Sequence, residues 1–564
     1  MLRIIPFLVL RSFLLTFVLV GLSFSGLTQV RRCKLTIDAS VTMITGHGNA
    51  AGILPGDTIC LQPGQKSFLL FSYLHGSKNN PIVIQNTDGL VFINNTSNYG
   101  VKFDSCSYLK FSGAGFSPLK YGIKVDRTVG AGLSVDGLST DIEIEHVEIS
   151  NTGLAGIFAK TDPNCQFNST REKFTLRNLI IHDNYIRITG MEGMYLGSSK
   201  FMGQTITCGG KDTTVLPHLL KGVKVYRNIV EESGWDAIQV SSADSGCTVY
   251  DNVIVRDSKL AVTYQMSGIL IGGGTNAKVF NNQIKDGFGD GIDVISMGSQ
   301  YIYNNLILNP GSAYKPDSNF SPWLKHGIYI GSDYSAQSNS YLIIFNTIIS
   351  PKSDGVKFTD NKSTRNFVAD NIIIDPGSFP AEGENAYINL GSSSTDVTVL
   401  NNLTTLDINS VKFINPDQEN YDLKPNSPAV NSGAPVSAME LHIDLLNRIR
   451  PFAKYYDVGA FECQDSSLLD TPEYETGADL QLKVSPNPSS GRFNVEYQLF
   501  YPTDITISLL DNQGRILMRR NWNGQLPGKY QFVYDGDSMK PGFYSLIFKS
   551  NSLFITKKLI ILTN

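Results

Sequence analysis

Three short phrases in the second half of the sequence carry the side chains that acid–base chemistry needs: Asp290-Gly-Ile-Asp293, His326-Gly-Ile-Tyr329 and Asp354-Gly-Val-Lys357. Carboxylates, an imidazole and an amine are the groups that move protons in general acid–base catalysis. Asp290, Asp293, His326, Asp354 and Lys357 are therefore the candidate catalytic residues. Each alone has a plainer explanation, because Asp before Gly commonly caps its own turn and a single surface histidine is ordinary. Their coincidence on one face is what points to chemistry.

That face follows from a repeat. A run of alternating apolar residues ending in Asn recurs as Phe174-Thr-Leu-Arg-Asn178, Val223-Lys-Val-Tyr-Arg-Asn228, Cys247-Thr-Val-Tyr-Asp-Asn252, Ala277-Lys-Val-Phe-Asn-Asn282, Tyr301-Ile-Tyr-Asn-Asn305, Leu342-Ile-Ile-Phe-Asn346, Phe367-Val-Ala-Asp-Asn371 and Val397-Thr-Val-Leu-Asn-Asn402. The interval of roughly 23 to 50 residues suits a solenoid coil with variable loops. Between these runs lies a second phrase, from Ala155-Gly-Ile-Phe to Asp354-Gly-Val-Lys-Phe. Two period-2 runs per repeat without an amphipathic helix predict stacked strands, each coil pairing with the next. An Asn at a fixed corner tolerates a left-handed turn, and its amide can donate and accept along the stack, so an Asn ladder is expected.

The repeat aligns two columns. The residues before each Gly or Ala are Ala155, Glu192, Asp236, Ser267, Asp290, His326 and Asp354; the outward-facing ones are Phe158, Tyr195, Gln239, Leu270, Asp293, Tyr329 and Lys357. Together they form the most polar surface that the repeat predicts. Coils about 4.8 Å apart let neighbouring side chains act on one ligand. Two chemistries fit. Hydrolysis of a glycan needs an acid and a base, and Asp290 and Asp354, two coils or about 9.6 Å apart at the backbone, match the wider inverting geometry. β-Elimination on a uronic acid needs a cation and a base; Glu192 and Asp236 could hold calcium, with His326, Tyr329 or Lys357 as base. Tyr195, Gln239, Tyr329, Trp235 and Trp323 are the candidate substrate-binding residues. The aromatic ones would stack on sugars equally well in a non-catalytic adhesin or structural coil.

On these phrases the chain resembles the pectate-lyase-like right-handed β-helix superfamily over roughly residues 50 to 460. Gly56-Asp-Thr-Ile-Cys-Leu-Gln-Pro-Gly64 and Asn80-Pro-Ile-Val-Ile-Gln-Asn86 look like the opening turns of bacterial members, and Asn426-Ser-Pro-Ala-Val-Asn-Ser-Gly433 with Tyr456-Asp-Val-Gly-Ala-Phe-Glu462 like their closing cap. The lyase signatures of the superfamily are not visible, and Asp290-Gly-Ile-Asp293 does not match the paired-Asp motif of its polygalacturonases. No family catalytic residue carries over. Beyond the acidic stretch 464–481, expected as a linker, Val484-Ser-Pro-Asn-Pro-Ser-Ser-Gly-Arg-Phe-Asn-Val495, Ile505-Thr-Ile-Ser-Leu-Leu-Asp-Asn-Gln-Gly-Arg-Ile516 and Pro541-Gly-Phe-Tyr-Ser-Leu-Ile547 resemble the C-terminal sorting domain of the type IX secretion system. The resemblance implies export across both membranes of a Gram-negative bacterium, to the medium or the outer surface.

The organisation expected is therefore all-β: a signal peptide (1–26), a right-handed parallel β-helix with end caps (27–463), the linker, and a small β-sandwich sorting domain (482–564). Arg3 and Arg11 flank the apolar run Ser12 to Leu22, which is short for a spanning helix, and Ser23-Phe-Ser25 offers the cleavage pattern. A polysaccharide or cell-surface glycan and the secretion machinery are the expected partners of a monomeric chain without a transmembrane span. Net charge −4 with 17% charged residues gives no basic field, which excludes a nucleic acid held through its phosphates. Seven cysteines in an exported chain permit disulfides. Cys165 and Cys208 follow equivalent strands of adjacent coils and are expected near each other, whereas Cys106 and Cys247, in strand-like runs, read as buried apolar residues.

Overall fold

Runs of alternating apolar residues too short to make a sheet by themselves are stabilised here by the equivalent run one coil further on. The computed structural model describes residues 32–468 and 482–562, apart from 95–97, 296, 313–324, 332–335, 378–385, 392–395, 435–440, 454, 500–502, 512–514, 537–538 and 551–553. The expected signal peptide, most of the expected linker and Trp323 lie outside the described residues.

Three parallel sheets of 13, 12 and 12 strands wind as a β-helix. The first contains the Asn runs, from Leu35–Ile37 to Val397–Leu400. The third contains the Gly-Ile phrases, from Met43–Thr45 to Ile388–Asn389. Each coil has a third strand where two were expected: Val253–Val255, Gln283–Lys285, Leu306–Leu308, Thr347–Ile349 and Ile372–Ile374 follow directly on the corner Asn and build the second sheet. Three residues are too few for alternation to show.

Inside, like stacks on like. Val225, Val249, Val279, Ile302, Ile343 and Val368 are in register along the first sheet, and Met194, Ile238, Ile269, Ile292, Ile328 and Val356 along the third, all fully buried. Each contributes about 1.5–3 kcal/mol of apolar burial. Glycine in the third-sheet phrase keeps the coils close: a Cβ on Gly291 would stand 2.5 Å from the carbonyl oxygen of Gly327.

The Asn ladder runs Asn184, Asn228, Asn252, Asn282, Asn305, Asn346, Asn371 and Asn402; the Asn184 oxygen accepts from the Val147 N–H, and from Asn228 onward each side-chain oxygen accepts from the backbone N–H and amide of the preceding Asn. Asn178 is not in it. Its run, Thr175–Arg177, belongs to a separate three-stranded sheet with Leu219–Lys221 and Ala243–Ser245, and Asn184 takes the corner instead. The left-handed backbone also falls elsewhere than expected. It is taken by the residue before each ladder Asn, whatever its type: Asp183, Arg227, Asp251, Asn281, Asn304, Phe345, Asp370 and Asn401 all have φ of 52–55°. The ladder Asn serves through its amide.

After Asn402 the chain turns through a helical turn, Ile408–Val411, and a hairpin, Phe413–Asn415 with Asn420–Leu423, and then runs back along the outside of the second sheet. Val411, Phe413, Leu423, Val458 and Phe461 cover the outward Leu306, Leu308, Ile349, Ile372 and Ile374. The expected cap is thus a flank. Buried Arg450 holds it, donating to Asn304 Oδ1 (2.7 Å) and to the carbonyls of Asp457 and Gly459 (2.6 Å each), with its guanidinium 4.3 Å from the Phe345 ring centroid. Glu419 pairs with Lys285, Asn304 Nδ2 donates to Ile443 O, Ala460 N–H to Thr347 Oγ1 and Gly459 N–H to Asp370 O.

Residues 482–562 form two antiparallel sheets of three and four strands. Phe493, Val495 and Tyr497 of one meet Ile507, Leu509, Leu546 and Phe548 of the other in a core of their own. Cysteines pair as Cys165–Cys208 and Cys33–Cys60, and Cys106, Cys247 and Cys463 are buried thiols. No helix among the described residues is long and apolar enough to cross a membrane.

Candidate active site

Both columns exist. Phe158, Tyr195, Gln239, Leu270, Asp293, Tyr329 and Lys357 stand in register on the third sheet, and backbone hydrogen bonds align Glu192, Asp236, Ser267, Asp290, His326 and Asp354 beside them. They do not form an open surface. Asp290, His326 and Asp354 are only 5%, 4% and 0% exposed, and Glu192, Asp236, Gln239 and Lys357 are also buried. The segments that lead from the second sheet into the third, one coil further on, reach back over it. Gln265 closes over Glu192 and Asp236, Lys325 over Asp290, and the stretch Ala386 to Asn389 over Asp354.

One chain of contacts joins four of the five candidate catalytic residues. His326 N–H donates to Asp290 Oδ1 at 2.6 Å, and Lys325 Nζ lies 3.1 Å from Asp290 Oδ2. His326 Nδ1 lies 3.2 Å from the Asp354 N–H and 3.3 Å from Asp354 Oδ2, and Lys357 Nζ is 4.0 Å from the same oxygen. Asp354 further accepts from the Ala386 N–H and from Asn389 Nδ2. The His326 ring stacks on Tyr329 with centroids 5.6 Å apart, and Tyr329 OH meets Thr359 Oγ1. Asp293 is half-buried between Leu270 and Tyr329 in the register.

The remaining candidates lie on coils toward the N-terminus. Tyr195 bonds Ser199 Oγ and carries the Lys160 ammonium 4.8 Å from its ring centroid. Gln239 reaches Ser241 Oγ at 3.4 Å. Trp235 sits on the corner before Asp236, half-buried. With its nitrogen turned inward, the Gln265 amide donates to Glu192 Oε1 (3.3 Å) and Asp236 Oδ2 (3.1 Å), and Ser267 Oγ donates to Asp236 Oδ1 (2.6 Å). Two carboxylates, the Gln265 side chain and the Ser267 hydroxyl meet here, fewer groups than the six to eight oxygens that calcium takes. Among the described residues the His and acid side chains close enough to share a metal are Glu143, Glu145 and His182, on the outer side of the first sheet. There the Lys110 ammonium already lies 2.6 Å from Glu143 and 2.8 Å from Glu145, so a cation would have to displace it.

Charge divides this site along the coil axis. Burial pushes the Glu192 carboxyl up to about 7 and Asp257 up to about 6, the latter against the pull of the Gly289 N–H and Lys325. Asp236 is raised by burial and by Glu192, Asp293 and Asp257. At the other end burial works upward on Asp354 too, but the His326 hydrogen bond, the Ala386 N–H and the charges of His326 and Lys357 outweigh it and hold the carboxyl below its ordinary range. Lys325, Asp257 and Gln265 were not legible from the repeat. Lys325 precedes the column, Asp257 follows a three-residue strand, and Gln265 lies in a loop.

The family model described as "Right handed beta helix region" matches residues 131–307 and 223–404, and the one described as "Secretion system C-terminal sorting domain" matches residues 483–562. A search among curated proteins finds no match. Among solved structures, the A-module of the mannuronan C-5 epimerase AlgE4 of Azotobacter vinelandii is 13% identical, the match covering 64% of this chain and 89% of that one with a TM-score of 0.32. XylC in complex with xylose is 10% identical over 91% of this chain and 100% of that one, TM-score 0.36. The receptor binding domain of the Siphovirus 9NA tailspike is 8% identical over 89% and 74%, TM-score 0.19. None is similar enough to lend this chain a residue role.

Proposed function

This chain is a right-handed β-helix protein that carries a secretion system C-terminal sorting domain, and on that premise we propose that it is an exported, monomeric protein, released or held on the outer surface of a Gram-negative bacterium, that cleaves a polysaccharide. The observation that carries the reading is the unbroken contact run from Lys325 and Asp290 through His326 to Asp354 and Lys357. Hydrolysis is favoured over elimination. The lowered Asp354 supplies a proton acceptor, and Asp290 stands two coils away, about 9.6 Å at the backbone, which suits the wider spacing of an inverting pair.

A non-catalytic glycan binder is the second reading. It is favoured by one observation, that the Asp354 oxygens are already engaged by Ala386 N–H and Asn389. The test is the full-length chain on pectic, alginate, glycosaminoglycan and neutral glycans, with and without calcium. New reducing ends without a new double bond support hydrolysis, ultraviolet absorbance from a double bond means elimination, and binding without product means a binder. Asp290→Asn and Asp354→Asn, which keep shape and remove the proton site, should each lower turnover about 10²–10⁴-fold. Unchanged turnover in both removes the site from the reaction.

A further inference from the structure

Lys325 is a cation set against Asp290 among the acids of the site's centre, and it is almost wholly buried. Its ammonium contacts Asp290 Oδ2 at 3.1 Å and the Met266 carbonyl at 3.5 Å. Asp293, Asp236 and Asp257 also act on it through space, and its stem packs with that of Lys352 against Gly311. Beyond Asp290, along the column, stand His326, Asp354 and Lys357.

A long flexible ammonium is a costly group to bury, and a space-filling role is better served by Leu or Met. Here the geometry gives it two tasks. It fixes one oxygen of Asp290 while the His326 N–H, 2.6 Å away, fixes the other, so the carboxylate has no rotation left. It also balances carboxylates that would otherwise face one another across a dry interior, where repulsion is strong. Burial would lower the Lys325 ammonium, yet Asp290, Asp293 and Asp236 together raise it, which marks it as a permanent charge and not a proton carrier.

We propose that Lys325 is the positioning residue of the candidate site, holding Asp290 in one orientation and setting the pH at which the surrounding carboxylates give up their protons. The inference rests on the hydrolytic reading for its catalytic meaning, but its charge-balancing half does not.

The experiment compares full-length wild type, Lys325→Met, Lys325→Arg, Asp290→Asn and Lys325→Met/Asp290→Asn. With the cation gone, the facing carboxylates bind protons more tightly folded than unfolded, so Lys325→Met should lose more melting temperature at pH 8 than at pH 5. Lys325→Arg should lose little at either. Adding Asp290→Asn should restore most of the pH 8 loss, and a Lys325→Met chain that folds only with that second change supports the proposal equally. On any glycan that the wild type cleaves, the acid limb of the Lys325→Met rate profile should move up by about one to three pH units, with kcat falling more than KM changes. An equal loss at both pH values with no rescue by Asp290→Asn overturns the proposal and makes Lys325 packing only. A wild type that cleaves nothing defeats the hydrolytic reading while the stability comparison still decides Lys325; turnover with an unshifted Lys325→Met profile defeats Lys325 while the hydrolytic reading stands.

Discussion

Replacing Asn282 by Ala tests what the corner ladder contributes. Its side-chain oxygen accepts from the Asn252 N–H at 3.1 Å and from Asn252 Nδ2 at 3.0 Å, and its amide donates to Val249 O at 2.9 Å and Asn305 Oδ1 at 3.0 Å. All four bonds vanish in the variant, and the residue is fully buried, so water cannot step in. At about 0.5–1.5 kcal/mol net for each bond the loss should be roughly 2–6 kcal/mol. Asn402, the last member, also makes four side-chain bonds, to Asn371, Val368 and Leu400, but it is half-exposed. There solvent replaces part of what is lost, and Asn402→Ala should cost no more than about 1–2 kcal/mol. Urea denaturation followed by circular dichroism gives the two losses, and hydrogen exchange at the Asn252 amide locates the first. Equal costs at the two positions, or an Asn252 amide that stays protected in Asn282→Ala, would refute the argument that burial makes the ladder strong.

Four further outcomes are expected. The raised Glu192 carboxyl, near 7, binds a proton in the folded state that the unfolded chain has released above its ordinary value of 4.5, so stability should fall by roughly 1.4 kcal/mol per pH unit between those values; melting curves of Glu192→Gln should lack that slope. His182 is pulled down by burial but raised overall by Glu143, Asp183 and Glu145, so its contribution is present below its ordinary value of 6.5 and fades as pH rises through the higher folded value; His182→Gln should flatten this part of the profile. Opening the Cys165–Cys208 bridge, with a sequence separation of 43, should release up to about 4 kcal/mol of loop constraint, read as faster proteolysis at residues 198–216 in a Cys165→Ser/Cys208→Ser chain whose coil still gives its β signal. Removing 484–564 should leave a folded coil that stays inside the cell, because the sorting domain's core draws only on its own residues; equal export of the shortened chain would exclude a sorting role.

How far the sequence reached depended on range. Positions that repeat locally, such as the Gly-Ile phrases and seven of the eight ladder members, could be placed by spacing alone, and their columns are in register in the folded chain. Asn178 failed because an inserted strand carries the same apolar-then-Asn pattern as a true coil strand, and only its pairing with Leu219–Lys221 separates the two. The burial of Asp290 and Asp354 had no local signal at all. It arises from the next coil, where the His326 N–H and Lys325 ammonium close on Asp290 and the Ala386 N–H and Asn389 amide close on Asp354. The residue types before the third-sheet phrase vary from coil to coil, so the repeat does not say which of them reaches a neighbour's carboxylate.

The flank built by the chain after Asn402 alters how such a stack comes apart. A solenoid whose turns touch only their neighbours should fray from an end, one turn at a time. Here Lys285, Asn304, Thr347 and Asp370 sit on four successive turns and are all tied to one returning segment. Loosening any one of these four turns therefore strains the other three, and the four should open as a single block or stay shut. The opposite end is stapled through Cys33 and Cys60. With both ends locked, the weakest point moves to the middle of the stack, where the inserted sheet and the 198–216 excursion interrupt the rhythm of the turns, and that is where a protease should first cut the native chain.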